Sequence, residues 1–250
     1  MAKRAKTGQG GVLLAADAGG YSAASVDLAV AMAATAGGLL QGLFVEDEDL
    51  LQVSGLPCAR EITLTTATER STSSEQIQRS LSIVARQFRQ TLQKEAQASR
   101  VSWSFDTMRG RVRDLGLKPS IEATYTILAH PSSRRLQSAQ LHSARRILLL
   151  GKASAAQQTA LETLFALYAR ERIELILGDD TSAEERFDAA AWLRRQQRSV
   201  AMSELPLQEL LRQLGSSGSK YDFAILSGTR EGEDTAVLLK SLRCPIILIA

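Results

Sequence analysis

The chain has 250 residues, 44% of them hydrophobic and 23% charged, with 30 Lys+Arg against 27 Asp+Glu for a formal net charge of +3. That balance belongs to an ordinary globular protein of one large domain or two smaller ones and excludes a disordered chain. Three surplus charges are no electrostatic footprint for nucleic acid, and the basic Lys3-Arg4-Ala5-Lys6 segment reads as a solvated tail. Two cysteines, Cys58 and Cys244, exclude a disulfide scaffold and a cysteine-rich zinc site and fit a reducing compartment. With only His130 and His142, a histidine-based metal site has few ligands to draw on. The longest apolar runs, such as Ile147–Leu150 and Ile246–Ala250, fall far short of a membrane span. Val12–Ala16 is too short for a signal-peptide core and ends at Asp17, so cytoplasm is the expected location.

Along the chain, short apolar runs alternate with helical patterns. Val12–Ala16 is a compact apolar run bounded by Gly11 and by Asp17-Ala18-Gly19-Gly20, the signature of a parallel strand covered on both faces. An Ala-rich helix over Ser22–Thr35 is stopped by Gly37-Gly38, and Leu39–Val45 returns to a strand. This opening is a βαβ unit with a right-handed crossover. From Glu46 to about Ser71 the rhythm breaks: the acidic Glu46-Asp47-Glu48-Asp49 run, Pro57 and a Thr/Ser-rich stretch read as an inserted excursion.

The longest helix is expected from Ser73 to about Gln97, with Ile77, Leu81, Val84, Phe88 and Leu92 on one stripe. Val101–Thr107 alternates as a strand, Gly110 to about Leu117 is a short helical or turn segment, and Ala123–Ala129 is β-rich. The same grammar restarts at Arg145. Strands are expected at Arg146–Leu150, Ile173–Leu177, around Val200, at Tyr221–Leu226 and at Ile246–Ile249. Helices are expected at Ala153–Arg170, Ala183–Gln197, Leu205–Leu214 and Glu233–Leu242. The halves share element order, which suggests an internal duplication. Nine strands result, one short of two five-stranded units, so Arg146–Leu150 can close the first unit or open the second.

Specific residues carry a family resemblance. Lys220-Tyr-Asp-Phe-Ala-Ile-Leu-Ser-Gly-Thr-Arg-Glu-Gly232, a helix, and Leu242-Arg-Cys-Pro-Ile-Ile-Leu-Ile249 resemble the C-terminal signature of the universal stress protein family. Val12-Leu-Leu-Ala-Ala-Asp17-Ala-Gly-Gly-Tyr-Ser22 with its helix and Leu39–Val45 resembles that family's opening, and Phe105–Gly110 stands where the third strand and its trailing Gly fall. The resemblance implies an α/β fold: a doubly wound parallel sheet of the universal-stress-like (adenine-nucleotide alpha-hydrolase-like) kind, in two tandem units. The units run over residues 9–144, with the insertion at about 46–71, and over 145–250.

Some members of that family bind ATP through a Gly-x-x-Gly, nine residues, then Gly-Ser or Gly-Thr, whose amides cradle phosphates. Here three residues separate Gly228 from Gly232, Leu242 stands where the later Gly belongs, and Glu231, Glu233 and Asp234 crowd the loop with carboxylates. In the first half, His130-Pro131-Ser132-Ser133-Arg134-Arg135 contains no Gly. The loop is therefore degenerate in both halves. Only Asp17 matches the family's nucleotide-contacting acid, and its second-half equivalent is Gly151-Lys152.

Asp17, Gly19, Gly20 and Ser22 remain candidates for an adenine nucleotide or anion, because strand C-termini opening helices are where α/β sheets bind ligands. A Gly-Gly turn with Ser22 as N-cap explains the same residues without a ligand. Ser227, Gly228 and Thr229 are the second candidate group. Arg134-Arg135 can pair with phosphate or simply start a solvated helix, and the Glu46–Asp49 carboxylates can hold a metal or face water. Neither histidine joins a nucleophile by spacing.

No nucleophile–base pair emerges, so the expected function is non-catalytic. The first reading is a degenerate tandem universal stress protein, a stress-response regulatory or scaffold module for a protein partner or small effector, with no cofactor. The alternative is an adenine-nucleotide-binding stress protein using the loop after the first strand, with ATP as its ligand. An internal pseudo-dimer is expected, with a homodimer open, and neither nucleic acid nor membrane insertion enters.

Overall fold

The computed structural model describes residues 11–56, 60–63, 68–71, 73–115, 123–130, 145–151, 153–179, 192, 200–217, 221–227 and 233–249. The first half contributes β1 (Val12–Asp17), α1 (Ala23–Ala36), β2 (Leu40–Asp47), α2 (Glu48–Ser54), β3 (Arg60–Thr63), β4 (Thr68–Ser71), α3 (Ser74–Ala98), β5 (Trp103–Gly110), α4 (Val112–Leu115) and β6 (Tyr125–Leu128). The second contributes β7 (Arg145–Gly151), α5 (Ala155–Leu167), β8 (Ile173–Asp179), β9 (Ala201–Pro206), α6 (Leu207–Ser217), β10 (Phe223–Ser227), α7 (Glu233–Ser241) and β11 (Ile246–Ile249).

Nine strands form one sheet in the order β5-β2-β1-β6-β11-β10-β7-β8-β9. Every neighbouring pair is parallel except β6 and β11, which run antiparallel with Tyr125 opposite Ile249 and Leu128 opposite Ile246. The sheet is thus two parallel sets joined at one antiparallel seam. The strand expected at Arg146–Leu150 lies between β8 and β10, among strands of the second half. That half supplies five strands and the first supplies four.

Each run such as Leu13-Leu14-Ala15 is apolar throughout because alternate side chains enter two different cores. Val12, Leu14, Ala16, Phe44, Ile127, Ile147, Phe223 and Ile247 face the layer built by α1, α3 and α5. Leu13, Ala15, Val45, Leu148, Leu150, Ala224 and Ile246 belong to the opposite core, with Leu115, Leu210, Leu214, Leu238 and Leu239 of α4, α6 and α7. Full burial of one such aliphatic side chain contributes about 1.5–3 kcal/mol.

Helix α1 packs against α3 on one side and α5 on the other, so the seam between the halves is bridged by helices as well as strands. That position explains its Ala-rich, unstriped sequence: Val26, Leu28, Ala29, Val30, Met32 and Ala33 are all buried. It ends at Gly37, whose φ of 62° is left-handed and whose N–H reaches the carbonyls of Ala33 and Ala34. Helix α3 carries the expected stripe, with Leu81, Phe88 and Leu92 buried and Ile77 and Val84 partly so.

The excursion expected over Glu46–Ser71 is structured where described. Glu46 and Asp47 finish β2, Glu48–Ser54 is helix α2, and β3 and β4 pair as an antiparallel hairpin. The expected helix at Ala183–Gln197 lies outside the described residues apart from Trp192.

Candidate functional site

In each half the first strand is flanked by strands reached in opposite directions, which opens a crevice at the strand C-termini, the usual ligand position in such sheets. In the first half this lies between β1 and β6. Asp17 ends β1 and folds a tight turn on itself: its Oδ1 accepts the Gly19 N–H at 2.8 Å and its carbonyl accepts the Gly20 N–H at 2.9 Å. Gly20 takes φ 98°, a conformation that disfavours any side chain.

Ser22 then caps α1. Its Oγ accepts the Ser25 N–H at 3.1 Å, and Ser25 Oγ in turn accepts the Ser22 N–H at 3.1 Å. This reciprocal box uses backbone donors that a bound anion would need. Tyr21 is drawn onto α3, its hydroxyl 2.8 Å from Thr91 Oγ1 and its ring 4.8 Å from that of Phe88. The ladder between β1 and β6 continues through the Ala129 N–H to the Ala15 carbonyl at 2.8 Å. Carrying the Ala15–Leu128 register two residues further sets His130 level with Asp17. Asp17, Gly19, Gly20 and Ser22 are therefore contiguous, and His130 follows the end of the neighbouring β6.

The acidic run is occupied by arginines from the neighbouring strand. Asp47 caps α2 by accepting the Asp49 N–H at 2.9 Å, Glu46 pairs with Arg109 at 3.3 Å, and Asp49 takes a two-pronged contact from Arg111 at 2.6 and 2.7 Å. The Arg111 guanidinium holds the Asp49 carboxyl below its ordinary range. Among the described residues no three or more His, Cys, Asp or Glu side chains are grouped to hold a metal ion.

In the second half, among the described residues, the ends of β7 and β10 are paired, Ser227 opposite Gly151. Gly151 takes φ 91°, and a Cβ there would lie 1.8 Å from the Ser227 carbonyl oxygen. Only glycine lets the two strand ends approach so closely. Ser227 is buried, and its hydroxyl accepts from Gln157 Nε2 at 2.9 Å while donating to the Leu150 carbonyl at 3.3 Å. Gln157, in the first turn of α5, is wholly buried, and its Oε1 has no hydrogen-bond partner. Gly228 and Thr229 lie outside the described residues, as do Arg134, Arg135 and His142.

Gln157 was not singled out by the sequence reading. The available signal was Ser154-x-x-Gln157 ahead of an apolar run, a capping-box pattern, although that pattern does not foretell a partner on β10. At the other end of β7, Arg145 lies 4.9 Å from the Tyr168 ring centre and pairs with Glu171 and Asp222. Burial pushes the Tyr168 hydroxyl up to about 12, so it stays protonated and serves as no base near neutrality.

The chain is similar to three solved proteins, each over 96% of its length. One is a putative universal stress protein from Pseudomonas aeruginosa UCBPP-PA14, at 10% identity and TM-score 0.42, covering 93% of that chain. A functionally unknown protein from Pseudomonas aeruginosa PAO1 shows 11% identity and TM-score 0.43 over 92% of its chain. A universal stress protein from Archaeoglobus fulgidus DSM 4304 shows 9% identity and TM-score 0.38 over 98%. No family model and no curated protein matches.

Proposed function

We propose that this protein is a non-catalytic tandem module of the universal-stress-like kind, serving stress-response regulation or scaffolding through a protein partner or small effector in the cytoplasm. The observation that carries this reading is the joining of the second-half strand ends. The Gly151–Ser227 backbone contact and the Gln157–Ser227 hydrogen bond tie together the strand ends that the family resemblance would use for a nucleotide. In the first half, Ser22 and Ser25 use each other's donors, and the Asp17 carboxylate braces its own turn. These internal hydrogen bonds support the reading that the family-type ATP loop is degenerate.

The test is thermal denaturation of the full chain with and without Mg-ATP. A ligand at one hundred times its dissociation constant adds about 2.7 kcal/mol. For a chain of this size that is a rise in Tm of about 5–11 °C. We expect no rise, and a rise of that size refutes the reading.

A second reading, adenine-nucleotide binding at the first-half loop, is favoured by one asymmetry. The Gly19-Gly20 turn is braced by the Asp17 carboxylate of its own strand, whereas in the second half a buried side chain of another element, Gln157, holds Ser227. On this reading Mg-ATP raises Tm, Asp17→Ala abolishes the rise, and Ser227→Ala leaves it intact.

A further inference from the structure

The unpartnered Gln157 Oε1 is a buried acceptor, and such atoms are uncommon because desolvation without a hydrogen bond is unfavourable. The donor it lacks exists in its own helix turn. Among the described residues, three helices begin with Ser at the N-cap: α1 at Ser22, α3 at Ser73 and α5 at Ser154. In α3 the residue three positions on is also glutamine, and there the box is complete: Gln76 N–H donates to Ser73 Oγ at 3.3 Å, and Gln76 Oε1 accepts the Ser73 N–H at 3.2 Å.

Helix α5 has the same residue pair but only half the box. The Gln157 N–H donates to Ser154 Oγ at 3.0 Å, while the side-chain amide turns away to Ser227, 70 residues on. We propose that Gln157 is a two-position latch. In the closed position its Nε2 holds the Ser227 hydroxyl at the ends of β7 and β10. In the open position its Oε1 accepts the Ser154 N–H, as Gln76 does at Ser73, and Ser227 Oγ loses the donor that Gln157 supplied while still donating to the Leu150 carbonyl.

Each position satisfies one end of the amide and deprives the other, which gives the residue two homes rather than one. The functional consequence rests on the reading of the second-half crevice proposed above, but the two fail separately. The latch fails on a backbone exchange rate, and the proposed function on a nucleotide-induced change in Tm.

The test is amide hydrogen exchange by NMR on the folded full-length chain. In the wild type, cross-relaxation between the Gln157 side-chain amide protons and the Ser227 Hβ protons reports the closed position, and its absence overturns the proposal. Ser227→Ala removes the closed partner, and Gln157→Glu removes its donor while keeping a box-forming side chain. In both variants the Ser154 amide should exchange about tenfold or more slowly than in the wild type. Wild-type exchange at Ser154 in the folded variants overturns the latch. If Ser227→Ala does not fold, Gln157→Glu and the wild-type measurement decide alone.

Discussion

Replacing Gly151 with alanine tests the paired strand ends most directly. Two separate costs can be read from the geometry. The residue sits at φ 91°, and an L side chain in left-handed space costs about 1–2 kcal/mol. The new Cβ would also lie 1.8 Å from the Ser227 carbonyl oxygen and 2.8 Å from its carbonyl carbon. These are backbone atoms of a paired strand, so relief requires β7 and β10 to part at their ends. Overpacking of that kind costs about 1–3 kcal/mol more.

The sum is about 2–5 kcal/mol, a fall in Tm of about 4–20 °C for a chain of this length. Gly37→Ala is the matched control, because Gly37 has φ 62° and nothing within 4 Å of its missing Cβ. It should show the first cost alone. Thermal denaturation of both variants followed by circular dichroism separates the terms. Equal destabilisation of the two variants would refute the claim that the strand ends are pressed together.

Asp27 on α1 has its carboxyl raised above the ordinary 3.8, first by burial and then by Glu95 of α3. The neutral form is favoured in the folded chain, so the associated stability is present at acid pH and lost as pH rises through the raised value. Asp27→Asn should therefore match the wild-type Tm at acid pH and exceed it at neutral pH, by a small margin because the group is partly solvated. A Tm difference that does not grow with pH would count against this. Ile247 of β11 is wholly buried in the strand that joins the halves. Ile247→Ala should cost about 2–5 kcal/mol, and it should lower the denaturation midpoints of amide probes in β1 and β7 alike. A midpoint change confined to the second half would show that the seam does not couple them.

What was legible in the sequence is what depends on neighbours in the chain. Val12–Ala16 and Ile147–Leu150 are apolar on both faces because both faces are covered, and that pattern needs no knowledge of the partner strands. The α3 stripe was legible for the same reason, since helical period alone brings Leu81, Phe88 and Leu92 to one side. The seam was not legible: nothing local in Tyr125–Leu128 or Ile246–Ile249 says that these two strands pair antiparallel. The acidic run looked solvent-facing because its arginines, Arg109 and Arg111, lie 63 and 62 residues away. At the candidate sites, Ser22 as a cap could be read from its position, whereas the closing of Ser227 by Gln157 is a contact between side chains with no sequence proximity.

The single antiparallel pair has a consequence for any ligand. All strands of the first set point one way and all strands of the second set the other, because β6 and β11 run in opposite directions. The C-terminal ends of β1 and β6 therefore open at one end of the sheet, and those of β7 and β10 at the opposite end. Asp17 and Ser227 cannot contribute to one pocket, and a molecule bound at one crevice cannot bridge to the other. Among the described residues the halves meet across the seam through β11 against β6, α5 against α1 and α4 against α7. The packing of α1 on α5, helices capped by Ser22 and Ser154, is one of the contacts through which the two ends can be coupled.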